Sequence, residues 1–210
     1  MNVLSLAPSA DSVSYNRRRD ALERRGIEVT TVTPTGRHAP GEASRSVADY
    51  AAIYPRVLRE SLRGYDLVHA SQGVVAPLAL AQPVRPVVLS LWGTDLFGRL
   101  EPVSRFCARR ADAVVVMSAA MEARLDREAA VIPHGVDCRR FRPRSQSAAR
   151  AELGWTDGAA RVLFPAHPAR PAKDYPRAER VVSAARDRLA RPVSLDALVG
   201  VPHETVPTYL

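Results

Sequence analysis

A chain of 210 residues, 46% hydrophobic and 25% charged, can bury a sizeable core and is too balanced for a disordered, collagen-like or extended coiled-coil protein. Its 30 Lys+Arg against 22 Asp+Glu give a formal charge of +8 and a pI near 10.3, and every cation except Lys173 is an arginine. An arginine excess suits contact with phosphate, nucleic acid or anionic lipid; it equally suits a GC-rich coding bias, because the arginines are spread along the chain. Cys107 and Cys138 are far apart and lack CxxC spacing, so neither a disulfide framework nor a zinc site is expected, and a reducing compartment is. No basic residue precedes the short apolar run at the start, and Pro8 interrupts it, so no secretory signal is expected. The uncharged stretch from Leu67 to Val84 contains His69, Ser71, Gln72, Gly73, Pro77 and Pro83, which argues against a membrane span.

Val3 to Ala7 reads as a short buried strand, followed by a loop from Pro8 to Ser12 and an arginine-faced helix from about Tyr15 to Arg25, stopped by Gly26. Ile27 to Thr33 is β-branched and ends at Pro34, completing a first βαβ unit. Thr35 to Ser46 is a Gly/Pro/Ser loop, and Val47 to Arg63 carries Val47, Tyr50, Ile53, Tyr54, Val57, Leu58 and Leu62 at helical spacing. The alternation continues with strand Tyr65 to Ala70, helix Gly73 to Ala81, strand Pro86 to Leu91, helix Pro102 to Arg110 and strand Ala113 to Met117. Ser118 caps a helix expected over Ala119 to Arg127, and Val131-Ile132 closes the set. Short apolar strands alternating with amphipathic helices predict an α/β fold, a Rossmann-like parallel sheet with helices on both faces. Polar, Arg-containing sequence from Pro143 to Trp155 separates this block from a second pattern. That pattern has strand Arg161 to Phe164, loop Pro165 to Tyr175, helix Pro176 to Ala190, strand Ser194 to Val199 and a helix start near Glu204. The expected organisation is a domain over 1–143, a linker over 144–160 and an incomplete second Rossmann-like domain over 161–210, too short for an α/β core of usual size.

Ligands of open α/β sheets bind beyond the carboxyl ends of the strands, so the loops there are the candidate site. Pro8-Ser9-Ala10-Asp11-Ser12 either offers backbone donors at a helix start or is an ordinary capped loop. It lacks GxGxxG, so no dinucleotide cofactor is indicated. Ala70-Ser71-Gln72-Gly73 follows His69, which reads as a satisfied strand-end histidine or as a ligand contact. In Trp92-Gly93-Thr94-Asp95 the carboxylate either orients a ligand hydroxyl or caps the following turn.

The fourth loop is the most specific. Val131-Ile132-Pro133-His134-Gly135-Val136-Asp137, followed by Phe141-Arg142-Pro143, resembles the interdomain segment V-I-P-N-G-V-D and F-x-P of the family-4 glycosyltransferases of GT-B fold, with His134 in place of the commoner asparagine. Gly26, Asp66 to His69 and Gly93 to Asp95 fall in corresponding places of that family's Rossmann-like first domain. Further on, Val162-Leu163-Phe164 stands where the family has V-L-F-V-G-R, and Arg170 and Lys173 match its arginine and the lysine of its lysine-glycine pair, which bind the donor's diphosphate. Two cations beside a helix N-terminus stabilise the charge growing on a departing nucleoside diphosphate; a solvated loop is the plain alternative. Val206-Pro207-Thr208-Tyr209-Leu210 is similar to the family's V-P-x-Y-L ahead of its donor-site strand.

The resemblance implies a retaining, metal-independent glycosyltransferase with no cofactor, moving sugar from a nucleotide-sugar donor to a polysaccharide, lipid or small-molecule acceptor in the cleft between two domains. On this reading Ser9, Ser71, Trp92, Gly93, Thr94 and Asp95 line the acceptor side, with Asp95 the catalytic candidate. His134, Gly135 and Asp137 form the hinge, and Arg170 and Lys173 hold the donor diphosphate. The sequence departs from the family in three places. Trp92 stands where many members have a histidine near the reacting centre, and indole exchanges no proton at neutral pH. The glycine pair after the first strand is missing, and the E-x7-E motif has no counterpart. A truncated, non-catalytic remnant or acceptor-binding domain is therefore the alternative. Nucleic acid is not an expected partner, since no recognition motif accompanies the charge and 6% aromatic content offers no stacking platform. Arg17, Arg18, Arg19, Arg24 and Arg25, or Arg105, Arg109 and Arg110, either touch anionic lipid or line solvated helix faces. The expected location is cytoplasmic, with peripheral contact at the inner face of the membrane.

Overall fold

Six short strands, β2 (Glu28–Val32), β1 (Asn2–Leu6), β3 (Leu67–Ala70), β4 (Val87–Ser90), β5 (Ala113–Val116) and β6 (Ala130–Val131), lie side by side in that order, all parallel. This computed structural model describes residues 1–35, 45–155 and 158–210, and the chain divides into two units, Met1–His134 and Gly135–Leu210. Most of the expected Thr35–Ser46 loop lies outside the described residues.

In the first unit the apolar runs become strands because their branched side chains fill the sheet's faces. Register sets Leu4 beside Val68, Val68 beside Val87 and Leu89 beside Val114. With Leu91, Leu96, Val57 and Val116, these residues form a core closed to solvent. The opposite face alternates with it. Leu67, His69, Val88 and Val115 there are only half-buried, where a sheet fully covered on both sides would show continuous burial.

Helix α1 (Val13–Glu23) begins with Ser12 accepting from the Tyr15 amide. It ends in a left-handed Gly26 (φ 77°) with the Ile27 N–H reaching back to Leu22 O at 3.2 Å, the glycine-terminated stop expected from sequence. The helical stretch 47–63 is two helices, α2 (Val47–Ala51) and α3 (Tyr54–Ser61). Pro55, in the first turn of α3, has no N–H to give the preceding turn, so the first helix cannot run through it. A 3-10 turn (Gly73–Val75) leads into α4 (Ala76–Ala81), and α5 (Gly93–Leu96) and α6 (Glu101–Ala108) connect β4 to β5. The helix expected to Arg127 stops at Glu122 as α7 (Ala119–Glu122). The remaining side chains turn the chain instead: Glu122 Oε1 accepts from Ala129 N–H at 3.3 Å, and Arg127 Nη1 donates to Ala108 O at 2.9 Å.

The second unit holds α8 (Gln146–Glu152), β7 (Ala160–Phe164), α9 (Tyr175–Arg186), β8 (Val193–Ala197) and α10 (Val206–Tyr209). β7 and β8 pair in parallel, as a strand–helix–strand crossover requires, and Ala159, Phe164, Ala166, Val182 and Val193 are buried apolar residues of this unit. Arg161 Nη1 meets Asp196 Oδ1 at 3.2 Å between these strands. Arg144 donates to Glu152 and to Thr208 at 2.6 Å each, and Thr208 donates to Glu152 at 3.0 Å, which ties α10 to α8.

Gly73 is packed tightly against two polar side chains: a Cβ there would lie 2.5 Å from Ser104 Oγ and 3.0 Å from Asp95 Oδ1. Gly73→Ala is expected to cost about 1–3 kcal/mol in urea unfolding. Adding Ser104→Ala should recover part of the loss by removing the nearer atom; equal stability of Gly73→Ala and the parent would show that the fold makes room there.

Candidate functional site

The loops after β1, β3 and β4 leave the sheet at one edge, because parallel strands end on the same side. Ser9 Oγ accepts from the Asp11 N–H at 3.2 Å. Ser71 is buried, its N–H donating to Leu6 O at 2.9 Å. Its own carbonyl accepts from Trp92 Nε1 at 2.8 Å, so the indole is fixed between two strand ends. Gly93 and Thr94 are exposed. Asp95 is 1% exposed and its Oδ2 accepts from the Trp92 N–H at 2.8 Å. Of the two roles open to this carboxylate, the geometry is that of a cap on α5. Burial pushes its pKa up, against the pull of the Trp92 amide. His134 is exposed and meets the Trp92 ring edge-on at 5.3 Å.

Beneath this edge runs a polar row that sequence reasoning missed. Thr31, Ser5 and His69 stand in register on β2, β1 and β3. Tyr15 of α1 hydrogen-bonds Thr31 Oγ1 through its hydroxyl at 2.8 Å. His69 Nδ1 is 3.3 Å from Ser5 Oγ and its Nε2 is 2.9 Å from Ser90 Oγ. A hydroxyl can donate or accept, so a neutral imidazole with one N–H satisfies both contacts. Burial, then the Arg18 guanidinium, lower the His69 pKa to about 3. With both nitrogens occupied and its pKa depressed, His69 is a structural hydrogen-bonding group rather than a base. Arg18 lies over this region, its Cζ 5.7 Å from the Trp92 ring centre and 5.8 Å from that of Tyr15. A period-two reading of β1 and β3 could place Ser5 and His69 on one face, but nothing local brings Ser90 or Arg18 to them.

In the second unit Arg170 and Lys173 bracket a 3-10 turn (Pro171–Lys173) ahead of α9; the Lys173 N–H donates to Arg170 O at 3.0 Å, and both side chains are exposed. Asp174, the next residue, has φ 53°. It occupies the position that the family resemblance gives to glycine, in the left-handed conformation that glycine adopts freely and aspartate tolerates. Its carboxylate caps α9, accepting from Arg177 N–H at 3.3 Å. Asp137 Oδ1 accepts from Arg139 N–H at 3.1 Å, and Gly135 and Asp137 are exposed. Among the described residues no group of three or more His, Cys, Asp or Glu side chains is gathered to hold a metal ion, and no helix is long and apolar enough to cross a membrane.

His69 gives a signed pH dependence. Its pKa is about 3 in the folded chain against 6.5 for a free imidazole, so between these values the unfolded chain binds the extra proton. Its contribution to stability is complete above about pH 6.5 and is lost as pH falls toward 3. NMR titration should find the ring neutral at pH 5, and His69→Gln should flatten the fall in stability between pH 6.5 and 4. A ring titrating near 6.5 would contradict the buried row.

The Glycosyltransferase Family 4 sequence profile matches residues 18–140, more than half of the chain. No curated protein matches it. Among solved structures it is similar to the crystal structure of Acinetobacter baumannii MurG, with a TM-score of 0.50 and 12% sequence identity over 98% of this chain and 70% of that one. At that identity the likeness is one of fold, the Rossmann-like α/β architecture of the GT-B class. With the profile match running from α1 through the sixth strand, the chain belongs to the family-4 glycosyltransferases.

Proposed function

We propose that this chain takes part in retaining, metal-independent transfer of a sugar from a nucleotide-sugar donor to a glycan, lipid or small-molecule acceptor. On this reading residues 1–143 are the acceptor-side domain, 144–160 a linker and 161–210 the donor side. The observation that carries the donor assignment is the pair Arg170 and Lys173. Both are exposed, neither has a carboxylate partner among the described residues, and both precede the N-terminus of α9 after the carboxyl end of β7. Two unneutralised cations and a helix start suit the charge that accumulates on a leaving diphosphate. Asp174 supplies the left-handed turn that lets the chain enter α9 directly after Lys173.

On the acceptor side, Ser9, the Trp92 ring, Gly93 and Thr94 are the groups at the strand ends that a ligand would meet. Buried Asp95 and Ser71 then act through Trp92, one capping its amide and the other holding its indole. Asp95 is on this reading a positioning residue. His134, Gly135 and Asp137 supply the hinge. Contact with an anionic membrane, and with it a peripheral cytoplasmic location, would draw on arginines not already paired. Arg105 and Arg109 both bind Asp126, at 2.6 and 2.9 Å, Arg19 binds Asp20 at 3.0 Å, and Arg18 is packed against Tyr15 and Trp92, which leaves Arg17, Arg24, Arg25 and Arg110 as the better candidates.

Replacing Arg170 and Lys173 together by alanine should weaken the tightest-binding member of a nucleotide-sugar panel by about 10- to 100-fold in calorimetry, the size expected for lost charge-assisted bonds to phosphate. Unchanged affinity would remove both residues from the donor site.

A further inference from the structure

Among the described residues Arg18 is a cation with no counter-ion. Its neighbour on the same helix, Arg19, pairs with Asp20 at 3.0 Å and Glu23 at 3.7 Å, whereas no carboxylate pairs with Arg18 among the described residues. Its Nη2 is buried and has no hydrogen-bond partner among the described residues. What holds it is packing: Tyr15 and Trp92 each present a ring within 6 Å of its Cζ. Ring faces attract a guanidinium but do not neutralise it, and they leave its N–H fork free. Burial accordingly lowers the Arg18 pKa, the sign of a charge whose hydration has been removed without replacement.

The surroundings select an anion rather than another protein group. Both rings are themselves anchored, Tyr15 through its hydroxyl to Thr31 and Trp92 through its indole to Ser71, so the guanidinium is held in place before any ligand arrives. His69 is kept neutral by burial and by Arg18 itself, so it adds no second positive charge beside the guanidinium. The cluster lies at the carboxyl edge of the sheet, where Trp92 is half-buried and Gly93, Thr94 and His134 are open to solvent. A planar fork with fixed orientation suits two oxygens of one oxyanion.

We propose that Arg18, clamped by Tyr15 and Trp92, is an oxyanion receptor on the first unit that takes a phosphoryl or carboxylate group carried by the acceptor. This deepens the acceptor side of the function proposed above and rests on that reading for the word acceptor. The receptor itself stands on the geometry of Arg18.

The test uses the full chain carrying Arg170→Ala and Lys173→Ala, so that phosphate at the proposed donor site does not contribute. Inorganic phosphate and acetate are titrated separately while the Trp92 indole and His69 ring signals are followed by NMR. Saturable movement of both signals is expected, with phosphate the tighter if the natural group is phosphoryl and acetate the tighter if it is a carboxylate. Arg18→Gln should weaken that binding at least tenfold without lowering Tm, because it removes an uncompensated charge. If Arg18→Gln melts early, Arg18→Lys carries the test: it keeps the charge and loses the planar fork, and weaker binding is again expected. Unmoved signals with both anions, or equal affinity in the parent and the folded variant, would overturn the proposal. The two proposals fail separately. Anion binding at Arg18 with no nucleotide-sugar binding by the parent chain overturns the glycosyl-transfer function and leaves the receptor; the reverse result overturns the receptor alone.

Discussion

Parallel pairing of β1 with both β2 and β3 is the constraint that shapes the first unit. Register places Leu4 beside Val68 and Ser5 between Thr31 and His69. That one arrangement puts Leu4, Leu6, Val68 and Ala70 on the sealed face and Ser5, Thr31 and His69 on the face toward α1, where Val3 and Leu67 lie beside them. Because side chains alternate with period two, a slip of one residue would turn His69 into the core and Val68 out of it. Parallel direction also sends the loops after β1, β3 and β4 to one edge, so residues distant in sequence meet there with no interaction of their own needed to gather them.

The electrostatics of that edge depend on what the sheet buries. His69 is neutral because burial removes the hydration its charge would need and because a guanidinium stands nearby, and two serine hydroxyls satisfy the neutral ring. Asp95 is buried because its carboxylate serves the Trp92 amide, and Gly73 leaves room for it. Trp92 is the piece the others position: its amide is capped from one side, its indole is fixed by Ser71, and one edge meets His134. The family's usual histidine could exchange a proton here; this chain has built a rigid aromatic wall beside a cation. On the proposed reading the edge serves binding and orientation. Charge stabilisation, on the proposed reading, falls to the cations of the second unit.

In that unit, on the proposed match of Lys173 to the family's lysine, Asp174 stands for a glycine and keeps its conformation. Its left-handed backbone and its cap on α9 keep the chain path that a glycine would give. The cost is a carboxylate at the helix start, next to the cations assigned to a diphosphate. Arg170 and Lys173 would then work against one fixed negative charge as well as for the ligand, which makes the presence of two cations rather than one physically sensible.

The amino-acid sequence by itself determined the alternation of strands and helices, the glycine stop at Gly26, the cap at Ser118, and the family through the 131–143 segment. All of these depend on neighbours within a few residues: periodicity, a missing N–H, a left-handed turn. It overran where a local pattern met a nonlocal demand, as in the helix ended at Glu122 so that Glu122 and Arg127 could turn the chain toward β6, and it carried one helix across Pro55. Tertiary structure alone decided the strand order, the half-open face of β3 to β5, the capping role of Asp95, and the meeting of Arg18, Tyr15, Trp92 and His69. Those residues come from separate segments of the chain, and only the hydrogen-bonded register of the sheet fixes the distances between them.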